Sequence, residues 1–80
     1  MESAKVYVPV TVDYAADGGL TPVSFVWEDG TRYEIDRVLD VRRAASLKAG
    51  GMGTRYTCRV RGKQTFLYLE EDRWFMERKN

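Results

Sequence analysis

Apolar residues recur at every second position along much of the chain. Val6, Val8, Val10 and Val12 alternate with Tyr7, Pro9, Thr11 and Asp13, a period of two that sends each set to one face of an extended strand. β-Branched residues at alternate positions favour a pleated backbone, so residues 5–14 are expected to form the first strand. Pro9 has no N–H to give to a ladder, which puts this strand at or near a sheet edge. Residues 15–22 break the pattern with Asp17-Gly18-Gly19, turn chemistry, and with Pro22. Val23, Phe25 and Trp27 then face one way along a second strand. Asp29-Gly30 reads as a two-residue type I′ hairpin turn, with both central residues at positive φ. A third strand starts at Thr31, with Tyr33 and Ile35 facing inward.

Residues 36–53 carry two patterns. Val38, Val41 and Ala45 fit a helical stripe, with Asp36 as N-cap and Gly50 as terminator, so a short helix within 37–49 is one reading. The β-branched content of Val38-Leu39-Asp40-Val41 favours the other, a strand bent by a bulge at Asp36-Arg37 and running to Arg43. Residues 44–53 follow as a glycine-rich loop. It leads into a strand, whereas a phosphate-cradling P-loop leads into a helix through Gly-Lys-Ser/Thr. Tyr56, Cys58 and Val60 then alternate with Thr57, Arg59 and Arg61. Gly62-Lys63 turns the chain into a run over 65–69, and Glu71-Asp72 turns it again into Trp74-Phe75-Met76. The expected architecture is all-β: an antiparallel meander of about six strands. A chain of 80 residues covers two separate sheets poorly, so the meander should curl into a small barrel or half-barrel forming one domain.

Composition narrows the chemistry. Hydrophobic residues at 44% and charged residues of both signs at 31% argue for a packed core over disorder. A single cysteine excludes an internal disulfide, which fits a reducing, cytoplasmic setting. The N-terminus lacks the basic-then-apolar pattern of a secretion signal, and no apolar run approaches the roughly 20 residues of a membrane helix. With no histidine, the usual general base near neutral pH is missing. Cys58 shares its alternation with Tyr56 and Val60 and reads as a small core residue. Glu70-Glu71-Asp72 sits at a turn, with a spacing unlike a calcium loop. The expectation is therefore a domain without enzymatic activity, cofactor or metal.

The charge is unevenly spread. Residues 1–40 carry three basic and eight acidic side chains, residues 41–80 ten and four. Such halves either neutralise each other across strands or leave a basic patch for an anionic partner. The candidate contacts for nucleic acid are Arg42 and Arg43, just before the glycine-rich loop, with Arg55, Arg59 and Arg61 on the strand face away from the core. Lys48 and Thr57 lie in the same set.

Three segments, Tyr33-Glu-Ile-Asp-Arg-Val-Leu-Asp-Val, Gly50-Gly-Met-Gly-Thr-Arg-Tyr-Thr-Cys-Arg-Val and Arg73-Trp-Phe-Met-Glu, give the chain a further aspect. Through them it resembles a group of short, uncharacterised bacterial all-β proteins of unknown function. The resemblance implies a standalone all-β cytosolic domain and brings no site residues with it. On these grounds the first expectation is a non-catalytic interaction module for a protein partner or for self-association, with the strand around Pro9 and the loop around Met52 as contacts. The second is a nucleic-acid-binding small β-barrel using the arginine set.

Overall fold

The run of alternating valines is where the fold divides. The computed structural model of the chain describes residues 4–45 and 52–78 and is all-β there, without a helix. The strands are β1 (Lys5–Tyr7), β2 (Val10–Tyr14), β3 (Leu20–Val26), β4 (Arg32–Glu34), β5 (Arg37–Ala45), β6 (Met52–Val60), β7 (Lys63–Glu70) and β8 (Arg73–Glu77). They form two antiparallel sheets, one ordered β1-β8-β7-β6-β5 and the other β2-β3-β4. The expected first strand is therefore two, parted at Val8-Pro9. Val8 N–H donates to the carbonyl of Trp74 at 3.0 Å, and the carbonyl of Pro9 accepts from Val26 N–H at 3.1 Å. The chain passes from one sheet to the other at the residue that has no N–H to contribute. The alternation survives the passage, with Val6 and Val8 buried, Val10 and Val12 half-buried, and Tyr7, Pro9, Thr11 and Asp13 exposed. A second passage occurs at Ile35-Asp36. Ile35 N–H donates to Val23 at 2.9 Å and Asp36 N–H donates to Arg59 at 2.8 Å.

Two single-residue bulges set which residues face inward. In β3, Phe25 lies opposite Val10, Ser24 opposite Thr11 and Pro22 opposite Val12, so Val23 is the extra residue. This corrects the expected inward row Val23, Phe25, Trp27. Val23 is exposed, while Pro22, Ser24 and Phe25 are buried. In β5, Val38 lies opposite Cys58 and Asp40 opposite Thr57, which leaves Leu39 unpaired. The region read as helix or bent strand is a strand to Ala45, and its bulge falls at Leu39 rather than at Asp36-Arg37. Ala44, Ala45, Met52 and Gly53, expected in the loop, belong to strands. The rest of that loop, 46–51, lies outside the described residues.

The turns differ from expectation in an instructive way. Asp29-Gly30 is part of a three-residue loop. Trp27 N–H donates to Thr31 at 2.8 Å, Gly30 N–H donates to Trp27 at 2.9 Å, and only Gly30 has positive φ, at +87°. The carboxylate of Asp29 accepts from Thr31 N–H at 2.9 Å, a local bond that fixes the turn. The same device recurs at Ala16-Asp17-Gly18, where Gly18 has φ +91° and Asp17 accepts from Gly19 N–H at 2.9 Å. Here the aspartate binds backbone, and the glycine alone takes the left-handed position. The two-residue turn with both φ positive is instead Arg61-Gly62, at +51° and +77°, one residue earlier than Gly62-Lys63.

The core unites both sheets. Val6, Val8, Phe25, Tyr56, Cys58, Val60, Leu67 and Met76 are buried together, with Trp27, Tyr33, Ile35, Val38 and Trp74 packed against them. Phe25 and Tyr33 stack at 5.3 Å between centroids, and Tyr56 meets Trp74 at 5.1 Å. A second apolar layer lies on the other face of β7 and β8. Tyr68 and Phe75 stack at 4.9 Å, Tyr7 meets Phe75 edge-on at 6.0 Å, and Lys5 Nζ stands 4.6 Å from the Phe75 ring. Lys5 and Tyr7 both donate to Glu70, at 3.3 and 3.0 Å. Glu70 thus leaves the acidic turn and helps cover the aromatic layer. Leu67 is 1% exposed at the centre of the main core, and Leu67→Ala should lower stability by about 2–5 kcal/mol. A urea titration checks this, with a lower midpoint and an unchanged m-value expected.

Candidate nucleic-acid interface

The face of the β5–β6 pair that points away from the core is built from arginines. Register places Arg37 opposite Arg59 and Arg42 opposite Arg55, with Asp40 opposite Thr57 between them. Residues directly opposite share a face and bring their Cβ atoms to about 4.5–5.5 Å. Four guanidinium groups therefore stand on one surface beside a single carboxylate. Like charges at opposed positions destabilise a sheet, so this arrangement carries a cost within the free protein.

Five of the first-half carboxylates are engaged elsewhere. Glu34 pairs with Arg32 at 3.0 Å and Glu28 with Arg78 at 2.9 Å. A carboxylate oxygen of Asp36 accepts from Arg61 N–H at 3.1 Å, and Asp17 and Asp29 hold their turns. Among the described residues of the first half, the carboxylate that reaches the face is Asp40, to which Arg42 Nε donates at 2.7 Å. That bond holds the Asp40 carboxyl below its ordinary range and raises Arg42 further. Neutralisation of the two charged halves across β5 and β6 is thus confined to Asp40, whose carboxyl the charge of Arg55 also lowers.

The five candidate arginines divide. Arg42, Arg55 and Arg59 share the face. Arg43 lies opposite Thr54, one residue out of phase with Arg42, and belongs to the other side of the sheet. Arg61 leaves the alternation because it is in the turn, and its guanidinium folds over the Tyr33 ring at 4.5 Å. Arg37, absent from the sequence-derived set, completes the face. Alternation from the inward Ile35 would send Arg37 to the core face; its place outside follows from the passage between sheets at Ile35-Asp36, which the local pattern does not show. Lys48 lies outside the described residues. Thr57 is buried on the same face, at 7% exposure.

Arg55 differs from the other three. It is half-buried, its guanidinium lies 4.7 Å over the ring of Phe66 on β7, and its Nε is buried without a hydrogen-bond partner among the described residues. Gln64, exposed, is opposite Arg59 on the other flank of β6. Beyond Gln64 and Phe66 the surface drops into an open cleft of ≈ 880 Å³ between the first half of β7 and the end of β8. It exists because the β7–β8 ladder covers only Tyr68, Leu69 and Glu70 against Phe75, Trp74 and Arg73. Trp27, Tyr33, Val60 and Met76 form its apolar lining, with Arg61 and Lys63 at the rim.

Cys58 is core. It is 1% exposed, its Sγ reaches the carbonyl of Tyr56 at 3.7 Å, and burial pushes its thiol up to about 11. Among the described residues, no three Cys, Asp or Glu side chains gather as a metal site requires, and no helix is long and apolar enough to cross a membrane. Compared with protein-family models, curated proteins and solved structures, the chain matches none.

A raised thiol pKa favours the protonated form in the folded state. Below about pH 9 both states keep the proton; above it the unfolded thiol ionises and the folded one resists, so this contribution to stability falls as pH rises from about 9 toward 11. Burial raises Tyr56 and Tyr68 in the same direction. A thiol-reactive dye at pH 8 should label the native protein slowly and the urea-unfolded protein at the rate of a free cysteine. Fast labelling of the native protein would place Cys58 at the surface.

Proposed function

We propose that the protein is a non-catalytic nucleic-acid-binding module that holds a phosphate backbone on the β5–β6 arginine face. The observation that carries this reading is the double opposition of Arg37 with Arg59 and Arg42 with Arg55. A polyanion laid across it would turn two repulsive pairs into four attractive contacts and release condensed counterions. Arginine suits the task, because its planar fork offers paired donors to phosphate oxygens.

In our reading the two sheets form a small barrel wall left open at one seam. The chain continues from β1 into β2 and from β4 through Ile35-Asp36 into β5, and β1 pairs with β8. The seam is the β7–β8 ladder, which pairs Tyr68, Leu69 and Glu70 and stops short of the first half of β7. The arginine face is then the outside of the wall, with Arg37, Arg42 and Arg59 exposed around the buried Thr57 and the half-buried Arg55. A protein partner is less well supported. Pro9 is bound into the sheet junction through its carbonyl, and most of the loop around Met52 lies outside the described residues. A buried lone cysteine fits a cytoplasmic setting for such a module.

Arg59→Glu tests the proposal. It replaces a repulsive cross-strand pair with an attractive one, so stability should hold or rise by about 0.2–1 kcal/mol. Affinity for a labelled oligonucleotide, read by fluorescence anisotropy at low salt, should fall at least about 10-fold. Equal affinity of variant and parent would overturn the proposal.

A further inference from the structure

The cleft beside β7 adjoins the arginine face directly, and this juxtaposition bears on which nucleic acid is bound. Gln64 and Phe66 belong to both surfaces. Gln64 lies opposite Arg59 and Phe66 lies beneath Arg55, yet both also line the cleft. A strand whose phosphates rest on Arg55 and Arg59 therefore has the cleft within reach of its bases. We propose that this cleft receives an unpaired base of the bound strand, so that the module selects single-stranded nucleic acid over duplex. The inference rests on the arginine face being a nucleic-acid interface.

Three features of the cleft suit a base. First, it contains a stack that ends in a cation: Phe25 lies on Tyr33 at 5.3 Å and 20° between planes, and Arg61 covers Tyr33 at 4.5 Å. The Arg61 side chain is exposed, so its outer face is open for another planar group. Guanidinium planes and aromatic rings are the usual platforms for unstacked bases. Second, Arg61 is held in place. Its backbone has φ +51° in a two-residue turn, and its N–H donates to Asp36 at 3.1 Å. Third, one wall is a strand edge. Lys63 pairs with Val60 across a two-residue turn, and from there the alternation of an antiparallel ladder directs the N–H and C=O of Gln64 and Phe66 toward the β8 side. The β7–β8 ladder has ended by Phe66, which leaves these backbone groups facing the cleft. They offer donors and acceptors to a base edge. In a duplex the base edges are engaged and the faces stacked, so the cleft admits a base only from a single strand.

The rim charges agree with this occupant. Arg78 and Glu28 neutralise each other at 2.9 Å, and of the remaining charged lining residues Arg61 and Lys63, on the hairpin between face and cleft, outnumber Glu77.

The experiment compares three labelled probes of equal length on the intact chain at low salt: single-stranded DNA, duplex DNA, and a single strand with abasic sites at its centre. The parent protein should bind the ordinary single strand about 10-fold or more tightly than either other probe. Arg61→Lys keeps the charge and removes the planar group. It should lower affinity for the ordinary strand about 5-fold or more and leave the duplex and abasic probes unchanged. Equal affinity for ordinary and abasic strands would overturn the inference while leaving the arginine face standing. So would an Arg61→Lys variant that discriminates as the parent does. Failure of all three probes to bind would remove the arginine-face reading itself.

Discussion

The register of β5 against β6 is the constraint on which the functional surface depends, and one unpaired residue sets it. Leu39 bulges out of β5, and everything beyond it changes faces. Without the bulge, strict alternation from Arg37 would carry Leu39, Val41 and Arg43 to the outside. With it, Asp40 and Arg42 come outside, and Arg42 meets Arg55. Leu39 and Val41 are exposed, at 42% and 51%, the first in the bulge and the second opposite Tyr56 on the edge strand. The β5–β6 register is held from one end by Asp36 N–H on the Arg59 carbonyl at 2.8 Å, the bond by which the chain leaves the three-stranded sheet. Topology and charge placement are thus settled by the same few backbone bonds.

The electrostatics follow from where the carboxylates go. An acidic first half and a basic second half would cancel if strands from the two halves lay side by side with matched charges. β5 and β6 do lie side by side, but Arg37 and Arg42 come from the ends of the acidic half and the start of the basic one, and they meet further arginines. The aspartates meanwhile serve backbone: Asp17 and Asp29 hold turns and Asp36 holds the Arg61 N–H. Carboxylates used for local geometry cannot also neutralise a distant surface. The lysine and arginine of the opposite flank are treated differently. Lys5 and Arg73 lie over Phe75 and Tyr7, with Glu70 beside them, so cations there cover an aromatic layer.

Much of the fold was legible from period two alone. The inward set Tyr56, Cys58, Val60 is buried as alternation requires, and so are Val6 and Val8. What alternation could not show depends on pairing partners distant in sequence. The bulges at Val23 and Leu39 are single insertions that leave the local pattern readable in either phase. The change of sheet at Pro9 hides because the valines keep their spacing through it. Arg61 was assigned to a strand because the alternation runs one residue past its end into the turn. The aromatic layer of Tyr7, Tyr68 and Phe75 is invisible to a reading that allows a strand one buried face. Arg42, Arg55 and Arg59 were recognisable as candidates by residue type; that they stand together, with Arg37 and without Arg43, required the register.

The claim at the centre of this account is that the arginine face meets phosphates, and the salt dependence of single-strand affinity tests it most directly. Neutralising three or four phosphates gives a slope of log K against log salt of about −2 to −3. That slope, measured between about 50 and 200 mM, is the result the account predicts. Affinity independent of salt over the same range would contradict it.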